Sequence, residues 1–257
     1  MRKIFLFIWL LLGYATADQI TNTIKIAKFF GTFLESTKSI PDSEIIKLSK
    51  LSDSFQGTKQ VKKIIGKMNL PQEVQEDIYL RIAVYQGKIS RAEAKQMFKN
   101  LSGKDGFKET LSKIIGNSDQ VTKGHLNELR IANHAVEEGF DVIAIGKKFD
   151  DGVKNSLTDI DVLLKKDGKE ILIEAKNYAS STKMPIDKYK ADLDTLNLYA
   201  QNHTQNSTLK VFSFTEKPQN KEVLRQYKFW AKRKGVELIF GTPEQQVEQI
   251  KILLTLL

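Results

Sequence analysis

Cysteine is absent from the 257 residues, which excludes disulfides, cysteine-zinc sites and thiol nucleophiles together. That absence leaves export open, since a chain can cross a membrane and fold without disulfides. Histidine is scarce: His125, His134 and His203 are the only three, and no two stand at a ligand spacing of the HxxxH kind. No glycine-rich lead precedes Gly146-Lys147-Lys148, so a phosphate-binding loop and nucleotide hydrolysis are rejected. Neither a serine elbow nor a Ser/His/Asp order stands out. The apolar run from Ile4 to Tyr14 is too short for a membrane span, which needs about 20 residues. Acid is the charge in short supply, with 31 Asp and Glu against 40 Lys and Arg, a net charge of +9. An excess of this sign favours polyanions, nucleic acid first and anionic membrane second.

What is present divides the chain. Met1-Arg2-Lys3, the Ile4–Tyr14 run and Ala15-Thr16-Ala17 give a basic start, a hydrophobic core and a small-residue exit. Residues 1–17 thus read as a signal peptide cleaved before Asp18, with an uncleaved anchor as the alternative. The expected product is secreted or periplasmic, with no stable membrane span after leader removal. Residues 18–118 read as an all-helical module. Apolar residues from Ile20 to Leu34 recur at helical spacing, and Ser39-Ile40-Pro41-Asp42 breaks the pattern. Further helices are expected from Pro41 toward Leu51, over Val61–Met68, and from Glu73 to Gln86 behind Pro71. Two more run to Leu101 from the capping box Ser90-Arg91-Ala92-Glu93, and over Phe107–Ile115. The aromatic and Ile positions there read as core.

Asn117-Ser118-Asp119 marks the boundary to a second unit, residues 119–257. Lys123–Glu138 is an amphipathic helix closed by Gly139, and Phe140–Ile145 a strand. Lys147–Asn155 is a charged loop turning at Asp150-Asp151-Gly152. Two strands follow, Thr158–Leu164 and Glu170–Lys176, joined by the hairpin signal Asp167-Gly168. A helix over Asp187–Gln201, a strand over Leu209–Phe214, a helix over Lys221–Lys234, a strand over Val236–Phe240 and a helix over Pro243–Leu256 complete the chain. Strands alternating with helices predict an α/β layered core.

The chemistry gathers on the hairpin. Successive strand side chains face opposite ways. Leu172, Glu174 and Lys176 therefore share one face, with Ile171, Ile173 and Ala175 on the other. On the preceding strand Asp159, Asp161 and Leu163 oppose Ile160, Val162 and Leu164. Two acids and a lysine converging beside a buried sheet make a cation site with a built-in positive group. A surface ion pair of Glu174 with Lys176 or Lys165 is the alternative.

This arrangement resembles the PD-(D/E)xK signature of the restriction-endonuclease-like nuclease superfamily, across roughly residues 121–245. The matching residues are Asp161 and Glu174-Ala175-Lys176; Thr158-Asp159 stands where the family has Pro-Asp. Asp161 is preferred to Asp159 because it leads into the apolar Val162-Leu163-Leu164 run. Glu128 fits the acid that the family's first core helix often carries. The resemblance implies a restriction-endonuclease-like core, a mixed sheet flanked by helices, behind the helical module. It further implies a metal-dependent endonuclease using Mg²⁺, with Mn²⁺ as substitute. Asp161, Glu174, the Ala175 carbonyl and Glu128 would be metal ligands, and Lys176 would orient water.

Lys183, Lys188, Tyr189 and Lys190, just after the site, are candidates to hold a nucleic-acid backbone by charge and stacking, with a solvated helix face as the alternative. Lys147-Lys148 and the Lys228–Lys234 run invite the same pair of readings, and Trp230 within that run reads as core. Taken together, the sequence predicts an exported nuclease acting on DNA or RNA, a toxin, effector or scavenging enzyme. A toxin would need an immunity partner, and the helical module could serve delivery or partner binding. Two alternatives retain the fold without the chemistry: a secreted nucleic-acid-binding module, and a protein-interaction module.

Overall fold

The computed structural model describes residues 42–52, 55–67, 70–150, 158–204 and 207–256. The leader, the Ile20–Leu34 pattern, the break at Ser39-Ile40-Pro41 and the Asp151–Asn155 part of the charged loop lie outside the described residues. Five helices come first: α1 (Asp42–Leu51), α2 (Phe55–Lys67), α3 (Gln72–Tyr85), α4 (Arg91–Leu101) and α5 (Phe107–Ile114). Pro71 caps α3, its carbonyl accepting from Val74 N and Gln75 N, and Gly87 ends it at φ 66°. Ser90 caps α4 by accepting from Glu93 N at 3.1 Å. The expected reciprocal half of that box is missing: the Glu93 carboxylate instead accepts from Arg130 Nε at 2.7 Å, tying α4 to the next helix.

That helix, α6 (Asp119–Glu137), leads into β1 (Asp141–Phe149), β2 (Thr158–Lys166) and β3 (Lys169–Lys176). Then come α7 (Ile186–His203), β4 (Thr208–Phe214), α8 (Lys221–Lys234), β5 (Glu237–Phe240) and α9 (Pro243–Thr255). The five strands form one mixed sheet in the order β1-β2-β3-β4-β5. The first three pair antiparallel and the last three parallel. Asp167 (φ 51°) and Gly168 (φ 76°) both take the positive φ that a two-residue type I′ hairpin requires. β1 runs further than its apolar pattern predicts: Lys147 and Lys148 are strand residues opposite Ile160 and Asp159, not loop. Backbone pairing with β2 overrides their low apolarity.

Helices cover both faces. Leu126, Leu129 and Ile131 of α6 and Val247 and Ile250 of α9 pack on Val162, Leu164, Ile171 and Ile173. The same cluster continues without a break into Ile78, Met97, Phe107 and Leu111 of the N-terminal helices. On the other face Tyr189, Leu193 and Leu196 of α7 and Val223 and Tyr227 of α8 pack on Leu163, Leu172, Phe212 and Phe214. β3 keeps the expected alternation. β2 breaks it: Ile160 joins Leu163 in the second cluster instead of Val162 and Leu164 in the first. Pairing explains the switch, because β2 leaves β3 after Val162–Ile173 but stays with β1 as far as Thr158. A two-stranded ribbon twists more than a sheet. The twist turns Ile160 and Phe149 onto α7, where the Phe149 ring lies 5.0 Å from that of Tyr199. Among the described residues no helix is long and apolar enough to cross a membrane.

The α4–α5 connection docks on β1 at its register shift between Val142 and Ala144. Ile145 N donates to Asp105 O at 2.9 Å, and Lys147 pairs with Asp105 at 2.8 Å. Gly106 is required there: at φ 77°, a Cβ would stand 1.8 Å from the Ile145 carbonyl oxygen. Gly106→Ala should therefore cost several kcal/mol, on the order of 3, since both backbones must move. Gly103→Ala, at φ 79° but facing open space, should cost only about 1 kcal/mol. Urea unfolding of the two variants checks this, and equal losses would contradict the docking.

Candidate active site

The site lies where β2 and β3 part. Their ladder ends at Val162–Ile173, so the next residues on each strand, Asp161 and Glu174, flank the opening. Asp161 takes over the lost pairing, its Oδ2 accepting from Ala175 N at 2.8 Å. The carbonyls on either side of Ala175 face β4, where Ser213 Oγ donates to Glu174 O at 3.4 Å and Thr215 N to Lys176 O at 3.1 Å. Carbonyls alternate in direction along a strand, so the Ala175 carbonyl faces the opening between β2 and β3.

Lys176 fills the centre. Its Nζ donates to Glu174 Oε1 and lies 3.4 Å from Asp192 Oδ2 and 3.9 Å from Asp161 Oδ2. All four side chains are largely withdrawn from solvent, with Glu174 at 7% and Asp161 at 14% exposed. From α6, Glu128 is buried and accepts or shares a proton with His125 Nδ1 at 3.0 and 3.1 Å. Its charge reaches Asp161.

Burial dominates the electrostatics of the carboxyls. Burial pushes the Asp161 carboxyl up to about 7; Lys176 and the Ala175 N–H oppose that rise, and Glu128 and Asp159 add to it. Burial, then the Asp161 charge, holds Glu174 well above the usual carboxylate range despite Lys176. For Lys176 burial pulls downward, but Asp161, Glu174 and Asp192 together outweigh it and keep the amine charged. The Lys176 ammonium thus serves three carboxylates, Asp192 also lying 3.8 Å from Lys188 Nζ, and Asp192 Oδ2 has no hydrogen-bond donor. Hard oxygen donors in excess of positive charge suit a hard divalent cation. Among the described residues, however, no three His, Asp or Glu side chains stand together as a metal-holding group.

Of the residues singled out from sequence, Asp161, Glu174, Lys176 and the Ala175 backbone come together, and Glu128, paired with His125, is near enough for its charge to act on Asp161. The four placed after the site separate. Lys183 is exposed, and Lys188 stays half in solvent 3.8 Å from Asp192. Lys190 lies over the Trp230 ring at 4.3 Å and pairs with Asp187, so it reaches α8 rather than the site. Tyr189 requires a correction. It is fully buried, its ring 4.7 Å from Phe212 and 4.5 Å from Tyr227, and it offers no face to a base. Its place in the apolar stripe with Leu193 and Leu196 decides this, not the lysines beside it.

Asp192 is the residue that sequence reasoning missed. Helical spacing from Tyr189 to Leu196 and Tyr199 puts position 192 on the buried side of α7. An acid on an apolar stripe was the available signal.

A carboxyl raised in the folded state keeps a proton that the unfolded chain gives up. Its contribution to stability is therefore full below the ordinary value of 3.8 and is lost as pH rises through about 7. Asp161→Asn keeps an acceptor for Ala175 N–H and removes that loss. The variant should be more stable than its parent at pH 8 by on the order of 1–4 kcal/mol, with the gain vanishing at pH 4. Urea unfolding in EDTA at the two pH values measures it; a variant less stable at pH 8 would contradict a carboxyl raised by burial.

Among known proteins, no family model matches the chain and no curated protein matches it.

Proposed function

We propose that the protein is a metal-dependent nuclease that hydrolyses phosphodiester bonds, built on a restriction-endonuclease-like core. The observation that carries the reading is the parting of β2 and β3 at Asp161 and Glu174, with Lys176 charged between them. The order α6-β1-β2-β3-α7-β4 and the mixed, helix-covered sheet are in keeping with it. So is the net charge of +9, for a polyanionic substrate.

Asp161, Glu174 and the Ala175 carbonyl would hold a Mg²⁺ or Mn²⁺ ion, with Glu128 completing the set from α6. When bound, such an ion supplies polarisation of a phosphoryl oxygen and acidification of water. The chain's own groups do the rest. Lys176 orients the attacking water and stabilises the charge that develops at phosphorus. Asp192 holds the Lys176 amine on the α7 side. Lys188 and Lys183, at the exposed rim, meet phosphates flanking the scissile one. The proposal extends to export through residues 1–17 and to a toxin or effector role, with residues 18–118 serving delivery or an immunity partner.

One observation favours a second reading, a non-catalytic module with the same fold. Lys176 already neutralises part of the carboxylate cluster, and no metal-holding group stands preformed among the described residues. A single experiment separates the two. The protein is incubated with plasmid, single-stranded DNA and tRNA, in Mg²⁺ or in EDTA. We expect cleavage of at least one substrate in Mg²⁺ and none in EDTA. Glu174→Ala and Lys176→Ala should each lose at least about 100-fold in rate. Variants that cut as well as the parent would place the chemistry elsewhere, and no cleavage of any substrate would favour the binding module.

A further inference from the structure

Phe229 belongs to neither hydrophobic cluster. It lies in α8 and is 56% exposed, whereas every other Phe, Tyr or Trp whose side chain is described is at least partly buried. The inner face of α8 is accounted for by Val223, Tyr227 and Ala231, packed on the sheet. Phe229 points the opposite way, at the centre of the solvent face by helical spacing. Around it on that face stand Arg225, Lys228, Lys232 and Arg233. Arg225 pairs with Glu222 at 2.9 Å, whereas Lys228 and Lys232 have no carboxylate partner among the described residues. Beside Phe229 the Trp230 ring is 5.3 Å away and edge-on, and two cations bracket it: Lys190 Nζ at 4.3 Å and the Arg233 guanidinium at 5.5 Å.

We propose that this face of α8 is a docking surface for single-stranded nucleic acid, Phe229 stacking on an unpaired base while Lys228, Lys232 and Arg233 hold the flanking phosphates. The chemistry selects that partner over others. Aromatic rings set among cations are the platform on which single strands bind, because every base has a π-face and every linkage a negative charge. A second copy of the chain would bring like charges against like charges. An anionic membrane would be met by a continuous apolar face, and the apolar face of α8 is spent on the sheet. The surface also connects to the proposed site. Tyr227 of α8 donates to Met184 O at 2.8 Å and accepts from Met184 N at 2.9 Å, which fixes the segment leaving Lys176.

The inference rests on the nuclease reading only for the class of partner, and its test does not use cleavage. Binding of a fluorescein-labelled oligo(dT) strand to the whole protein is followed by anisotropy in EDTA, with a duplex and phosphatidylserine-containing vesicles as the other arms. We expect the single strand to bind more tightly than the duplex, and Phe229→Ala to weaken it about five- to hundredfold with Tm unchanged. Phe229→Tyr should keep binding near the parent level, and Lys228→Gln with Lys232→Gln should lower the salt slope by about one per residue removed. Parent-level binding by Phe229→Ala, or binding to vesicles but not to oligo(dT), would overturn the inference. Oligonucleotide binding that needs Phe229 in a protein that cuts nothing would sustain it while ending the nuclease reading; a protein that cuts, and whose Phe229→Ala variant binds oligo(dT) at the parent level, would do the reverse.

Discussion

The Lys176 ammonium among three carboxylates is the contact on which the site depends. Two of those acids, Asp161 and Glu174, are brought together by strand register, and the third, Asp192, comes from the helix above. Without the amine, Asp161 and Glu174 would share a small space withdrawn from solvent with Asp192 at its edge, an arrangement costing several kcal/mol for each buried ion left uncompensated. With it, the cluster is held, while burial first and neighbouring acids second keep the Asp161 and Glu174 carboxyls raised. A buried cluster of this kind is weak as a source of stability, and a close-packed apolar replacement would often do better. Its value lies in what else it can attract.

The geometry follows from a few local choices. Asp167-Gly168 permits a two-residue turn, which fixes the β2–β3 register and so places Asp161 opposite Glu174. β2 then follows β1 rather than β3, and the added twist takes Ile160 to the other face. Asp161 sits at the point of that reversal, where its carboxylate alone bridges the strands. The N-terminal helices steady β1 through the Asp105–Gly106 connection, so the strand that draws β2 away is itself anchored. On the opposite face, α7 and α8 share the aromatic cluster of Tyr189, Phe212, Phe214 and Tyr227. That cluster sets the height at which Asp192 meets Lys176.

Much of this was legible in the residues. The hairpin, the alternation along β3, the glycine-terminated helices and the gathering of Asp161, Glu174 and Lys176 all follow from local rules: period, turn chemistry and capping. What escaped depended on tertiary contact. Lys147 and Lys148 carry no strand signal, and only the pairing with β2 makes them strand. Ile160 changes face because the ladder on one side of β2 ends, an event with no signature in β2 itself. Glu93 abandons its own helix cap for Arg130, 37 residues away. Tyr189 has lysine neighbours in sequence, although its helical phase belongs with Leu193 and Leu196. Asp192 was overlooked for the converse reason: its phase is buried and its chemistry is not.

The central claim is that the parting of β2 and β3 makes a site for one hard divalent cation. Calorimetric titration with Mn²⁺ at several pH values tests it most directly. The account predicts one ion per chain, affinity that rises as pH passes through about 7 and Asp161 gives up its proton, and measurable proton release on binding below that pH. Glu174→Gln should abolish the binding. Absence of saturable binding, or binding of equal strength in Glu174→Gln, would contradict it.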